Sequence, residues 1–110
     1  MLLSTLVGVI FLVSAPCPAK PGVYGCTMFA GETPSVYIDP SLNPHGSWRE
    51  SHTYQHELGH VKASHIPGAS IWDENFAEHY STCHDIHYRW LKRVLEGNNA
   101  KTICQRWGVR

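Results

Sequence analysis

The sequence lacks several features that would have narrowed its class at once. Its nine basic and nine acidic side chains balance, so no excess of charge points to a nucleic-acid partner. It has no Cys-x-x-Cys pair, which argues against a zinc cluster held by thiolates. It also has no internal repeat, and 110 residues are too few for two domains with separate cores. We therefore expect one compact domain and no nucleic-acid partner.

No hydrophobic run is long enough to cross a bilayer as a helix. The run from Leu2 to Ala15 has 14 residues, which is typical of the apolar region of a secretory signal. No Lys or Arg precedes it, and cleavage after Ala15 and cleavage after Ala19 both stay open. We expect residues 1–19 to be a signal peptide or an uncleaved N-terminal anchor that contacts the membrane. Residues 20–110 are then the functional domain of a secreted or periplasmic protein.

Four cysteines are an even number in a short chain with a predicted export signal, which favours two disulfides. The sequence does not fix their pairing. Proximity along the chain favours Cys17 with Cys26 and Cys83 with Cys104. Cleavage after Ala19 would remove Cys17, leave an odd thiol and so count against this pairing.

The order of predicted elements indicates a small α+β fold. Two β-prone runs, Cys26–Ala30 and Ser35–Asp39, flank a Gly-Glu-Thr-Pro turn and predict a hairpin. Ser47 and Glu50 have the spacing of a capping box, which predicts a first helix from about Trp48 to Ser64. The hairpin and the helices together are the expected scaffold.

A second helix is predicted from about Ile71 to Leu95, because Ser70 and Asp73 repeat the capping pattern. Its apolar stripe and its acidic face lie on opposite sides of the helix. The stripe contains Phe76, Tyr80, Cys83, Leu91 and Val94, and the acidic face contains Glu74, Glu78 and Asp85. The four tryptophans are predicted to close the core: Trp48, Trp72, Trp90 and Trp107.

The segment His56-Glu57-Leu58-Gly59-His60 carries the clearest chemistry. On a helix, the spacing of four places both imidazoles on one face, where they can hold one metal ion. Glu57 is offset by about a hundred degrees, so it suits a water bound to that ion better than the ion itself. Glu57 is therefore the candidate general base.

This pentapeptide on a helix resembles the signature of the zincin metallopeptidases, although the downstream Gly and third His of the metzincins are not present. Glu74-Asn75-Phe76-Ala77-Glu78 looks like the second motif of the gluzincin branch. The resemblance implies one zinc ion held by His56, His60 and Glu74. Glu78 would orient one of the ligand histidines, and Asp73 and Glu78 are rival third ligands.

The resemblance also implies the reaction, which is zinc-dependent hydrolysis of a peptide or protein substrate with Glu57 as general base. We expect strand Ser35–Asp39 to hold an extended substrate by β-addition, the usual mode in zincins. A residue that stabilises the oxyanion is expected on the second helix. The candidates are His79, Tyr80, His84, His87 and Tyr88.

Two other classes of function stay open. The first is a non-catalytic binding module of the cell envelope, in which zinc replaces a core that so short a chain cannot build. The second is an envelope protein whose basic stretch meets an anionic polymer or lipid. From Arg89 onward the chain has six Lys or Arg against Glu96 alone.

Overall fold

The computed structural model describes residues 2–5 and 8–84 of the chain. Within these ranges the protein has four strands in one sheet and two helices, which confirms the predicted α+β class. In chain order the elements are β1 (Leu2–Thr5), β2 (Gly8–Ser14), β3 (Gly25–Met28), β4 (Ser35–Ile38), α1 (Trp48–Ala63) and α2 (Glu74–His84).

The strands lie in the order β1-β2-β4-β3. The predicted hairpin is confirmed: β3 and β4 pair antiparallel, with Cys26 opposite Tyr37. Strand Ser35–Asp39 has no free edge for the predicted β-addition as long as β2 is in place, because β4 has β2 in parallel on one side and β3 on the other. The outermost strand at this end of the described sheet is β3.

The apolar run at the N-terminus forms β1 and β2, an antiparallel hairpin. In β2, Ile10 is fully buried, whereas its neighbours Val9 and Phe11 are exposed. This alternation matches a strand with one face on the core. A cavity of about 560 Å³ lies between β2 and α1, where Leu12 and Tyr54 line it.

The signal-peptide or anchor role of this run stays a prediction. Within the described ranges, no helix has the length and apolar character that a membrane span requires.

The predicted disulfide between Cys17 and Cys26 is present, with the two Cα atoms 5.8 Å apart. It ties the segment before β3 to the strand itself, and Cys17 is buried. Cys104, the predicted partner of Cys83, lies outside the described residues.

The first helix begins at Trp48, as the capping box predicts. The hydroxyl of Ser47 accepts a hydrogen bond from the backbone N–H of Glu50 at 3.2 Å. The Glu50 carboxylate accepts from the N–H of Gly46 at 3.0 Å, one residue before the usual partner in this motif. The first bond satisfies an orphan donor of the helix, the second ties the preceding loop to its first turn, and α1 turns Leu58 and Val61 into the core.

The second helix begins at Glu74, three residues later than the prediction. Asp73 is its N-cap residue, since the Asp73 carboxylate accepts a hydrogen bond from the N–H of Phe76 at 3.1 Å. Ser70 acts earlier, in a turn, where its hydroxyl accepts from the N–H of Trp72. The predicted continuation over residues 85–95 lies outside the described part of the chain.

The core is filled by aliphatic residues of the sheet and of α1 together with the predicted stripe of α2. Its buried members are Ile10, Val36, Ile38, Leu58, Val61, Ala63, Phe76, Tyr80 and Cys83. The prediction that the tryptophans close this core is wrong for Trp48 and Trp72, which are 50% and 69% exposed. Both flank the polar side of the helices instead, and Trp90 and Trp107 lie outside the described residues.

The two helices approach most closely at Gly59, inside the His-Glu-x-x-His segment. A Cβ atom at this position would lie 2.7 Å from the Cα of Ala77 and 3.0 Å from the Cβ of Tyr80. The first distance is shorter than non-bonded carbon atoms tolerate. The absent side chain therefore sets the distance between α1 and α2.

We predict that Gly59→Ala lowers the free energy of unfolding by about 1–3 kcal/mol through overpacking. A decrease in stability would be specific to the close contact, because in an unconstrained helix the change from Gly to Ala raises the stability by about 1 kcal/mol. Urea unfolding of the metal-free protein measures the change, and Ser51→Ala on the exposed side of α1 is the control. A Gly59→Ala protein as stable as the wild type would show that the close approach is not required.

Candidate metal centre

His56 and His60 lie one helical turn apart on α1, with their ring centroids 5.1 Å apart. The Glu74 carboxylate, at the start of α2, contacts both rings. One oxygen lies 2.9 Å from Nε2 of His56, and the other lies 3.1 Å from Nε2 of His60. Two imidazole nitrogens and one carboxylate therefore converge from two helices.

The Nδ1 atoms of His56 and His60 contact other groups of the protein. Nδ1 of His60 lies 2.7 Å from the carbonyl oxygen of Ile71, in the linker between the helices. Because a carbonyl can only accept, Nδ1 carries a proton, so in the neutral ring Nε2 is the nitrogen that can bind a cation. Nδ1 of His56 lies 2.7 Å from the Glu78 carboxylate, which fixes that ring in the same way.

Glu57 is buried between α1 and β3. The hydroxyl of Thr27 lies 2.9 Å from a carboxylate oxygen of Glu57 and 3.1 Å from its backbone carbonyl. Burial raises the pKa of Glu57, while the charge of His56 and the hydrogen bond from Thr27 act in the opposite direction. The side chain is thus oriented by a hydroxyl and turned toward the two histidines.

Gly25 allows β3 to pass this close to α1. A Cβ there would lie 2.6 Å from the carbonyl oxygen of Tyr37 and 2.9 Å from a methyl carbon of Thr53. Any larger residue would push the strand outward. The hydrogen bond between Thr27 and Glu57 depends on this approach.

His56, Glu57 and His60 each offer a ligand atom within 4.8 Å of the others, so this group could hold a metal ion. The Glu74 oxygens lie still nearer to the two Nε2 atoms. Two imidazoles and a carboxylate are donors that suit a divalent metal ion, so the residues present fit such an ion.

The charges around the site favour a positive group between the helices. Burial lowers the pKa of His56, but its hydrogen bond to Glu78 and the charges of Glu57, Glu78 and Glu74 outweigh this and raise the pKa. Hydrogen bonds from His52 and His56 hold the pKa of Glu78 well below its usual range. Glu78 therefore stays ionised and favours a cation beside it.

The two rival third ligands point elsewhere. The Asp73 carboxylate caps α2. The Glu78 carboxylate lies on the Nδ1 side of His56 and also contacts Nε2 of His52 at 3.2 Å. His52 is buried and also contacts the Ser81 hydroxyl.

A cleft of about 610 Å³ opens over these groups. Besides the site itself, it is lined by β3, by the segment that precedes β3 and by the start of α1. Of the oxyanion candidates, His79, Tyr80 and His84 are not among its lining residues, and His87 and Tyr88 lie outside the described ranges. Trp72 lines the cleft and packs edge-on against Phe29.

Three contributors to the site are missing from the predictions made from the sequence. Thr27 is 30 positions from Glu57, and nothing in its surroundings marks it as a partner. The carbonyl of Ile71 acts through its backbone, which any residue could supply. His52 does continue the four-residue spacing of His56 and His60, and that spacing could have placed it beside Glu78.

Comparisons with protein-family models, curated proteins and solved structures gave no match to this chain. The chemistry of the site is accordingly argued from its own geometry. Five residues predicted from the sequence meet in it: His56, Glu57, His60, Glu74 and Glu78.

We predict that Glu78→Gln weakens Zn²⁺ binding by about 10- to 100-fold, because His56 loses the anion that orients its ring. Competition with a chromogenic chelator at neutral pH gives the affinity. Glu32→Gln, an exposed carboxylate in the turn after β3, is the matched control and should leave the affinity unchanged. Equal affinities for all three proteins would contradict the orienting role of Glu78.

Proposed function

We propose that the protein is a small zincin-like metallopeptidase that binds one zinc ion through His56, His60 and Glu74. The observation that carries this proposal is the paired contact of the Glu74 carboxylate with both Nε2 atoms. The opposite ring nitrogens are already engaged by Glu78 and by the Ile71 carbonyl. Both Nε2 atoms and the Glu74 carboxylate therefore remain to bind the ion.

The donor chemistry supports zinc over harder cations. Calcium and magnesium prefer shells built from oxygen ligands, whereas two imidazoles and a carboxylate suit zinc. Three protein ligands are also the usual number in catalytic zinc sites, in which a fourth position stays available for water or substrate. That position would face the cleft over His56 and His60.

In this proposal Glu57 is the general base. A zinc ion held by His56, His60 and Glu74 would lower the pKa of a bound water and polarise the substrate carbonyl. Glu57 takes one proton from the attacking water and passes it to the leaving amine, as the C–O bond forms and the C–N bond breaks. Thr27 holds the Glu57 carboxylate in place for both transfers.

The proposed substrate is an extended peptide or protein segment. Strand β3 is outermost in the described sheet and lines the cleft beside Glu57, so a peptide that pairs with β3 passes over the metal centre. We further propose that the protein works outside the cytoplasm, secreted or periplasmic. The disulfide between Cys17 and Cys26 suits an oxidising compartment.

The proposal is tested by zinc content and peptide hydrolysis of the purified chain and its variants. We expect the wild type to hold one zinc ion and to cleave casein or a quenched-fluorescence peptide library. Glu57→Gln should keep the zinc and lose activity by about a hundredfold or more. Glu74→Ala should lose both, because only two imidazoles remain to hold the ion.

Glu32→Ala is the control for Glu74→Ala and should keep zinc and activity. If the wild type holds zinc but cleaves nothing, and Glu57→Gln is indistinguishable from it, the protein is a zinc-stabilised binding module instead. If no zinc copurifies or rebinds, the metal proposal itself fails.

A further inference from the structure

The guanidinium of Arg49 lies at the far end of the same cleft. Its Cζ atom is 4.5 Å from the centre of the Tyr24 ring and 4.5 Å from the centre of a Trp48 ring. None of the ion pairs among the described residues includes Arg49. The half-buried cation is thus held by two aromatic rings and has no carboxylate partner in the described chain.

The guanidinium of Arg49 is preorganised to bind a ligand. The rings restrict the side chain, so less rotamer entropy is lost when the guanidinium binds. Its planar fork of N–H donors matches a carboxylate, which can accept two of them. Lys20 lines the same cleft and adds a second positive charge.

We propose that Arg49, assisted by Lys20, binds a carboxylate of the peptide substrate. This inference rests on the proposed function for the cleavage step, and it extends that function to the class of substrate. Arg49 acts in it as a specificity determinant.

The direction of β3 indicates on which side of the cleaved bond the carboxylate lies. The chain runs from Tyr24, which lies beside Arg49 and directly precedes β3, to Thr27 in β3, which lies beside Glu57, and so in the direction of α1. A peptide that pairs antiparallel with β3 runs the opposite way, from Glu57 toward Arg49. Antiparallel pairing is the slightly more stable arrangement. The carboxylate therefore lies on the C-terminal side of the cleaved bond.

The geometry of α1 also gives the distance between the cleaved bond and the carboxylate that Arg49 binds. Arg49 precedes His56 by seven residues, or about 10 Å along the helix axis. An extended peptide covers that length with about three residues. The carboxylate is then an acidic side chain about three residues beyond the cleaved bond, or the C-terminal carboxylate of a peptide that ends there.

The test uses quenched-fluorescence peptides in which Glu or Gln scans the positions after the cleaved bond. A second set ends at those positions with a free carboxylate or an amide. We expect lower KM for the charged member of a pair near the third position. Arg49→Met should raise that KM roughly five- to tenfold and leave kcat and the neutral peptides little changed.

Lys62→Met, which removes a cation from α1 outside the cleft, is the control and should change none of these values. Arg49→Glu should reverse the preference in favour of a peptide with Lys at the same position. This reversal cannot arise from a folding defect. If neither Arg49 variant changes any preference for charge, the proposed subsite is wrong.

Anisotropy with labelled members of the same peptide pairs, bound to the Glu57→Gln protein, separates this inference from the proposed function. Binding that prefers the charged peptide and is lost with the added Arg49→Met change supports the subsite even if the wild type cleaves nothing. Binding that ignores both the peptide charge and Arg49 overturns the subsite even if the wild type is a peptidase.

Discussion

The crossing of α1 and α2 at Gly59 determines where the polar groups of the metal centre lie. His56 and His60 flank Gly59 on one helix, and Glu74 and Glu78 flank its contact residue Ala77 on the other. With hydrogen in place of a side chain at this crossing, carboxylates of α2 reach imidazoles of α1 within about 3 Å. The His-Glu-x-x-His segment thus contains the small residue that lets the second helix approach the first.

The site gathers carboxylates around two imidazoles, and such like charges repel. Each carboxylate has a neighbour that offsets its charge. Glu78 lies against His52 and His56, Glu57 is hydrogen-bonded by Thr27, and Glu74 lies against His56 and His60. Glu74 is the most exposed of the three. A cation between the helices would relieve most of the remaining repulsion.

Local sequence patterns predict the helical half of the fold well, because periodicity and caps act within a few residues. The start of α1 and the hairpin β3–β4 are of this kind, whereas the approach of Glu74 and Glu78 to the histidines is what the resemblance to the gluzincins implies. Local patterns do not predict long-range pairing. The neighbours of β4, the contact of Thr27 with Glu57 and the exposure of Trp72 depend on packing that no local pattern encodes. Asp73 shifts the start of α2 because two capping residues, Ser70 and Asp73, compete and the later one prevails.

The N-terminal hairpin β1–β2 is bound to the rest of the sheet through one strand, β2. It joins the sheet through the pairing of β2 with β4, whereas the contacts of α1 with the sheet are made to β3 and β4, and a cavity separates β2 from α1. Ile10 is its deepest contribution to the core. Local stability therefore falls toward this end, and amide hydrogens of β2 should exchange before those of α1. When the hairpin opens, β4 presents an unpaired edge that another extended chain can occupy, while the two helices and their histidines keep their arrangement.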